Sequence, residues 1–222
     1  MTKISAGGEA IGHHFLKALG EADTEGFPFR HWLLCDALPT DAARAIPALP
    51  IAPPAIDDTQ GKRETHNATR SFFAGENLSR FPVARAMADC FQAPETVRQI
   101  ERETGATLTG SSLRIEYCQD TDGFWLAPHT DIGAKLFTML IYLSESPEAA
   151  GWGTDIYDDE LRHAGSAPGG FNRGLIFVPG PDTWHGVEQR RFKGVRKSII
   201  VNYVKPEWRA RHELAFPDQP VG

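Results

Sequence analysis

The chain has 222 residues, of which 41% are hydrophobic and 23% are charged, a composition typical of one soluble globular domain with its own core. The formal net charge is −6 and no cluster of lysine and arginine stands out, which argues against nucleic acid as the main partner. No apolar run approaches the roughly 18 residues of a membrane span, and the first twenty residues contain no continuous apolar segment like that of a signal peptide.

The number and spacing of the cysteines bear on the cellular compartment of the protein. Cys35, Cys90 and Cys118 are far apart and odd in number, which favours reduced core thiols over a disulfide or a metal site. We therefore expect a cytoplasmic protein that binds neither membranes nor nucleic acid.

The first half of the chain, residues 1–105, has the periodicity of helices joined by proline-rich loops. The predicted elements, in order, are a helix over residues 11–19, a short helix over 41–46 with Thr40 as its N-cap, an extended connector over 47–54, and helices over 80–91 and 94–103, the last ending at Gly105.

From about residue 110 the pattern changes to short strands separated by Gly, Pro and Asp turns, which is typical of a sandwich or barrel such as the jelly roll. Leu113, Ile115 and Tyr117 alternate with Arg114, Glu116 and Cys118, so the two sets face opposite sides of a strand. Further strands are predicted at 136–143, 154–157, 174–178 and 196–204. We expect a single domain over residues 1–222, mainly β, with a core over 110–205 and helical support from 1–105.

His129 and Asp131 belong to the segment His-Thr-Asp that precedes the strand predicted at 136–143. Chance alone supplies such a pair in about half of chains of this composition, so the surroundings decide its meaning. In an extended segment the two side chains project to the same face. His185 follows the turn Pro179-Gly180-Pro181, at a strand end where it could join them. Two histidines and one carboxylate form the facial triad that holds Fe(II) and leaves three positions open.

Arg196 begins the last predicted strand, and Ser198 and Asn202 share its face. An arginine beside a serine can hold a carboxylate through a bidentate guanidinium and a hydroxyl donor. The apolar run Ile199 to Val201 indicates a buried strand, where an unpaired arginine is costly. Arg196 therefore needs a carboxylate partner.

The order of these residues resembles the Fe(II)/2-oxoglutarate-dependent oxygenases: His-x-Asp, a histidine about fifty residues on, and Arg-x-Ser about ten residues further. The local motifs Tyr-(x11)-His-x-Asp, Thr-Met-Leu-Ile-Tyr-Leu, Gly-Thr and Trp-His-Gly-Val are similar to the prolyl 4-hydroxylase-like branch. The resemblance covers roughly residues 110–205. It is specific for the reaction class and poor for the substrate.

The resemblance implies a double-stranded β-helix fold in which His129, Asp131 and His185 ligate the catalytic iron. It implies that Arg196, helped by Ser198, binds the distal carboxylate of 2-oxoglutarate, and that Tyr117 and Thr138 line the same pocket. The cofactors would be Fe(II), 2-oxoglutarate and O2, with ascorbate as reductant. Halogenating relatives lack the carboxylate ligand, so Asp131 favours hydroxylation. The charges of Fe(II), Asp131, 2-oxoglutarate and Arg196 cancel, as a buried site requires.

Two alternatives stay open: a cupin-like metalloenzyme that uses the triad without 2-oxoglutarate, and a non-enzymatic binding barrel. The substrate, a small molecule or a peptide, is not readable from the sequence. We expect the pocket entrance to be formed by the N-terminal helices, residues 60–76 and residues 157–173. Four residues could either line the pocket or serve packing: Arg114, Trp125, Trp152 and Asn202. For Arg114 the structural role would be an ion pair with Glu116.

Overall fold

The computed structural model describes residues 5–63 and 70–222. Five α-helices within these ranges are α1 (Ala6–Gly20), α2 (Thr40–Ala45), α3 (Glu76–Arg80), α4 (Pro82–Gln92) and α5 (Pro94–Thr104). The last two confirm the prediction, and α5 ends at Gly105 in the left-handed conformation, φ 78°, which glycine adopts without strain. The predicted N-cap of α2 is wrong by one residue, because Pro39 is the cap and Thr40 is the first helical residue.

Seven strands form the major sheet and four the minor sheet, all antiparallel. The major sheet contains β1 (Asp23–Glu25), β2 (His31–Leu34), β3 (Ser71–Phe72), β4 (Ser112–Asp120), β6 (Lys135–Tyr142), β9 (Arg173–Phe177) and β11 (Arg196–Val204), in the order β1-β2-β9-β6-β11-β4-β3. The minor sheet contains β5 (Leu126–His129), β7 (Asp155–Tyr157), β8 (His163–Ser166) and β10 (His185–Val187), in the order β5-β10-β7-β8.

The first half of the chain also contains elements that the sequence did not predict, namely the short helix α3 and three strands. It was predicted to be helical, yet β1, β2 and β3 come from it and extend the major sheet at both edges. These strands are two to four residues long, too short for an alternating pattern to stand out. Besides the neighbouring β1, β2 pairs with β9, about 140 residues further along the chain. Local sequence therefore carries no sign of the β2–β9 pairing.

The two faces of the major sheet have different neighbours. The outer face, with Ile115, Met139, Ile199 and Val201, packs into one large apolar core with residues of α1, α4 and α5. On the inner face, Leu140, Leu175 and Phe177 pack against Ile156 of the minor sheet. The helices thus support the sheet from outside, and the space between the two sheets is left for the site.

Cys90 and Cys118 are buried as predicted, Cys35 is exposed, and all three are free thiols. Among residues 5–63 and 70–222, no helix is long and apolar enough to cross a membrane.

Gly153 offers a test of the packing between the segment before β7 and the segment after β8. A Cβ at this position would lie 1.7 Å from the carbonyl oxygen of Ala167, so the backbone must move to admit it. We expect Gly153→Ala to lower the free energy of unfolding by about 1–3 kcal/mol or more, measured by urea denaturation. Gly151→Ala is the matched control, because a Cβ there meets nothing within 4 Å; equal losses in the two variants would contradict this packing.

Candidate metal centre

The structure brings His129, Asp131 and His185 together. One ligand atom from each lies within 4.8 Å of the others. The pairing of β5 with β10 places the two histidines opposite each other, with ring centroids 4.4 Å apart. Asp131 follows two residues after the end of β5. The three groups that the sequence singled out therefore converge because two adjacent strand ends meet.

Backbone carbonyls fix the orientation of both imidazoles. Nδ1 of His129 lies 2.9 Å from the oxygen of Ala127, and Nδ1 of His185 lies 2.9 Å from the oxygen of Thr183. A carbonyl oxygen only accepts, so each Nδ1 carries a proton and each Nε2 is the nitrogen available to a metal. Burial lowers the pKa of His185 to about 4, which keeps this ring neutral near pH 7.

Two donors hold the carboxylate of Asp131. Nζ of Lys135 lies 2.5 Å from Oδ1, and Oγ1 of Thr138 donates to Oδ2 at 2.6 Å. Burial alone would raise the pKa of Asp131, but the charge of Lys135 and these hydrogen bonds outweigh it and lower the pKa to about 2. The group is ionised near pH 7. Two imidazoles and one carboxylate fit a divalent iron ion.

A hydrogen-bonded chain continues behind Asp131. Nδ2 of Asn202 donates to Oγ1 of Thr138 at 2.9 Å, and Nη1 of Arg114 donates to Oδ1 of Asn202 at 3.0 Å. Asn202 therefore supports Asp131 through Thr138. It is fully buried and also lines the cavity, so it has both of the roles left open for it. Thr138 lines the cavity that contains the triad, and its hydroxyl donates to Asp131.

Arg196 already has a carboxylate partner within the protein. Its Nη1 donates to Oδ2 of Asp120 at 2.6 Å, and its Nε donates to the backbone oxygen of Trp152 at 2.5 Å. The four-group charge count made from the sequence is therefore incomplete, because it leaves out Asp120. Nη2 of Arg196 and the hydroxyl of Ser198 are buried and have no partner among the described residues. These two donors, two residues apart on one face of β11, fit a carboxylate ligand.

The prediction for Tyr117 is wrong. Its side chain belongs to the apolar core on the outer face of the major sheet, because β4 alternates and Glu116 and Cys118 face the interior. Tyr142 is the tyrosine on the inner face. It pairs with Ser198 across β6 and β11, its ring lies 5.6 Å from the guanidinium of Arg196, and its hydroxyl donates to Thr154. The apolar run Thr-Met-Leu-Ile-Tyr-Leu contained this residue, but its face could not be fixed without the register.

The two tryptophans serve packing. Trp152 lies edge-on to Phe192, with centroids 5.4 Å apart, in a small core with Phe124, and contributes only its carbonyl oxygen to Arg196. Trp125 donates its Nε1–H to Asp58 and lies against Gly61. Neither side chain lines the cavity that contains the triad.

The cavity has a volume of about 350 Å³ and contains all three triad residues, a size suited to small ligands. Residues 61–63 and Arg70 line it, which agrees with the predicted entrance over 60–76; residues 64–69 of that stretch lie outside the described residues. Neither the N-terminal helices nor residues 157–173 line it, and that part of the prediction is wrong. Trp208 completes the wall from the C-terminal side.

Arg114 and Glu116 do form an ion pair, at 2.9 Å, and both also line the cavity. Glu116 accepts two further hydrogen bonds from Arg70, at 2.8 and 2.6 Å. Burial alone would raise the pKa of Glu116, but the Arg70 hydrogen bonds and the charges of three arginines hold it well below its usual value. The wall of the cavity on the β4 side is thus a network of buried ion pairs.

The fold is that of the double-stranded β-helix, as predicted. A prolyl hydroxylase from Trichoplax adhaerens, solved with a peptide fragment of hypoxia inducible factor, superposes with TM-score 0.57 at 14% identity, over 90% of this chain and 91% of that one. A prolyl-4-hydroxylase from Pseudomonas putida gives 0.55 at 13% identity, over 86% and 92%. A prolyl 4-hydroxylase from Phytophthora capsici gives 0.58 at 12% identity, over 95% and 68%. The sequence matches no protein-family model and no curated protein.

Thr138 provides a test of the support behind the triad. Thr138→Val keeps the shape of the side chain and removes the hydroxyl donor to Asp131, so we expect Fe(II) affinity to fall about 10–100-fold, as for other outer partners of metal ligands. Anaerobic titration with Fe(II) measures the effect. Thr138→Ser restores the donor and should recover most of the affinity; a valine variant with wild-type affinity would show that the hydroxyl does not position Asp131.

Glu116 provides a pH test. A carboxyl group whose pKa is lower in the folded than in the unfolded state stabilises the fold at a pH above its unfolded-state pKa. This stabilisation is lost as the pH falls and the group becomes protonated. We therefore expect the free energy of unfolding to decline as pH falls below the ordinary value of 4.5, and to decline less steeply in Glu116→Gln. Urea denaturation between neutral pH and pH 3 gives the slopes; identical slopes would rule out this contribution.

Proposed function

We propose that this protein is an Fe(II)- and 2-oxoglutarate-dependent oxygenase that hydroxylates an organic substrate. The observation that carries the proposal is the convergence of His129, Asp131 and His185 inside a fold shared with prolyl 4-hydroxylases over most of the chain. At these sequence identities the structural similarity supports only the fold, and the function has to be argued from the site.

Two groups of residues would have different roles, one binding the metal and the other binding the co-substrate. His129, Asp131 and His185 would hold iron, with Lys135 and Thr138 fixing the carboxylate. When bound, iron and 2-oxoglutarate supply the oxidation: O2 gives one oxygen atom to a C–H bond of the substrate and the other to succinate, with release of CO2. The protein orients both partners and excludes water, since Arg196 and His185 are buried.

Arg196 and Ser198 would bind the distal carboxylate of 2-oxoglutarate. Their two unpaired donors, Nη2 and the hydroxyl, are buried, and buried donors without a partner are costly unless a ligand supplies an acceptor. Asp120 fixes Arg196 so that Nη2 is the nitrogen left over. Tyr142 borders the same place, beside Ser198.

One observation favours a second candidate. The ion pair of Arg196 with Asp120 satisfies the charge of the arginine without any ligand. A metalloenzyme that uses the triad without 2-oxoglutarate would also fit such a pair. The two candidates differ in whether 2-oxoglutarate binds next to the metal.

The co-substrate test uses the protein without oxygen. Addition of Fe(II) and 2-oxoglutarate together should produce a weak visible charge-transfer band that neither produces alone. A protein that binds Fe(II) but gives no band with 2-oxoglutarate would favour the second candidate. With oxygen and ascorbate present, candidate substrates should release succinate and gain one oxygen atom by mass spectrometry.

Arg196→Ala should leave Fe(II) binding within about threefold of wild type and weaken 2-oxoglutarate about 100-fold, since a charge-assisted contact contributes about 1.5–3 kcal/mol. Ser198→Ala is the milder companion, because it removes a single unpaired hydroxyl and leaves the Asp120 pair intact. Titration of the band with 2-oxoglutarate gives both affinities. Unchanged affinity in both variants would remove Arg196 and Ser198 from this role.

A further inference from the structure

The wall of the triad cavity has more cationic than acidic side chains, in a chain whose net charge is −6. Six cationic side chains line the cavity: Lys62, Arg63, Arg70, Arg114, Lys135 and Arg196. Glu116 and Asp131 line it with them, and Asp120 and Glu213 form ion pairs with these arginines. Lys62 is exposed, so its charge needs no buried partner; the other five cations face four acids, a surplus of one among the described residues.

Filling the site does not remove this surplus. The charges of Fe(II) and of 2-oxoglutarate are equal and opposite, so the loaded cavity keeps the charge of its wall. Positive potential at the wall attracts anions, so a further anion fits this site.

Arg63 is the cation best placed to bind it. Its Nη1 lies 3.5 Å from Asp120 and 3.8 Å from Glu116, longer than the 2.7–2.9 Å typical of charge-assisted hydrogen bonds. The guanidinium lies over the ring of Phe124 at 4.8 Å. No described residue accepts a hydrogen bond from its Nε or Nη2. The side chain is 22% exposed, whereas Arg196 is 2% exposed.

Trp208 also lines the cavity and has an unpaired donor of its own. Its Nε1–H is buried and has no partner among the described residues, and its ring lies 5.5 Å from the guanidinium of Arg114. An indole nitrogen can only donate. The unpaired groups of Arg63 and Trp208 are therefore both donors, which calls for a ligand rich in acceptors.

We propose that the substrate is a small acid whose carboxylate or phosphate group binds Arg63, with Trp208 donating to a further acceptor of the same molecule. The proposal rests on the proposed function and names the substrate class of that site. The cavity of about 350 Å³ suits a small molecule, and positive potential at its wall would attract such an anion.

The first experiment compares acids with their neutral counterparts on the anaerobic protein loaded with Fe(II) and 2-oxoglutarate. The probes are hexanoate with hexanamide, benzoate with benzamide, and phenyl phosphate with phenol. A shift of the visible band and of the melting temperature reports binding. We expect at least one acid to bind about tenfold or more tightly than its neutral partner, as loss of a charge-assisted contact implies. Comparing the two carboxylates with phenyl phosphate shows which kind of acid the site prefers.

The outcomes distinguish the two proposals. If the iron–2-oxoglutarate band does not form, the proposed function fails. If it forms and no acid binds better than its neutral partner, the acid proposal fails and the proposed function stands. A blocked, uncharged peptide containing proline is the third arm: succinate release with this peptide, and with none of the acids, would also overturn the acid proposal.

Variants then test the residues. Arg63→Gln and Trp208→Phe should each reduce acid binding, the former about tenfold, while the 2-oxoglutarate affinity stays within about threefold. Arg63→Lys should restore part of the loss. Arg44→Gln is the control, because Arg44 is an exposed residue paired with Glu145 away from the cavity. A loss of 2-oxoglutarate affinity in Arg63→Gln would assign Arg63 to the co-substrate and overturn the proposal; should that variant not fold, the wild-type acid comparison still decides.

Discussion

The register of β11 between β4 and β6 is the constraint on which the rest of the site depends. Nine residues pair with β4 and most of them also with β6, so that Ser198 lies between Cys118 and Tyr142, and Asn202 between Arg114 and Thr138. A slip of one residue would turn every side chain of β11 to the other face. The apolar residues Ile199, Val201 and Tyr203 oppose such a slip, because their face is packed against the helices. The core on one side of the sheet therefore fixes the polar row on the other.

That polar row is a network of buried charges. Arg114 and Arg196 are among the largest fully buried side chains, and each has an acidic partner, Glu116 with Glu213 in one case and Asp120 in the other. Such pairs recover desolvation energy only when their geometry is good. In exchange they fix the donors before any ligand arrives, which favours an oriented site with little rearrangement.

The sequence predicted what local patterns carry and missed what depends on distant pairing. The alternation in β4 and β11 and the capping of α5 by Gly105 are local, and so is the His-Thr-Asp segment at a strand end. Asp120 was missed as the partner of Arg196, because their contact follows from the β4–β11 register, about 75 residues apart in sequence. Tyr117 was assigned to the pocket from motif spacing. Its alternation with Glu116 and Cys118 along β4 already indicated that it lies on the opposite face of the sheet from Arg196.

The same network bears on how one cavity would hold two acids. Arg196 offers one buried nitrogen, with its other contacts taken by Asp120 and Trp152. Arg63 is more exposed and has only long contacts to its acids. An acid that reaches Arg196 must therefore match the buried donors of Arg196 and Ser198, whereas an acid at Arg63 meets a looser and wetter site. Since desolvated contacts are stronger than exposed ones, the Arg196 end would select one particular dicarboxylate, and the Arg63 end would discriminate chiefly by charge.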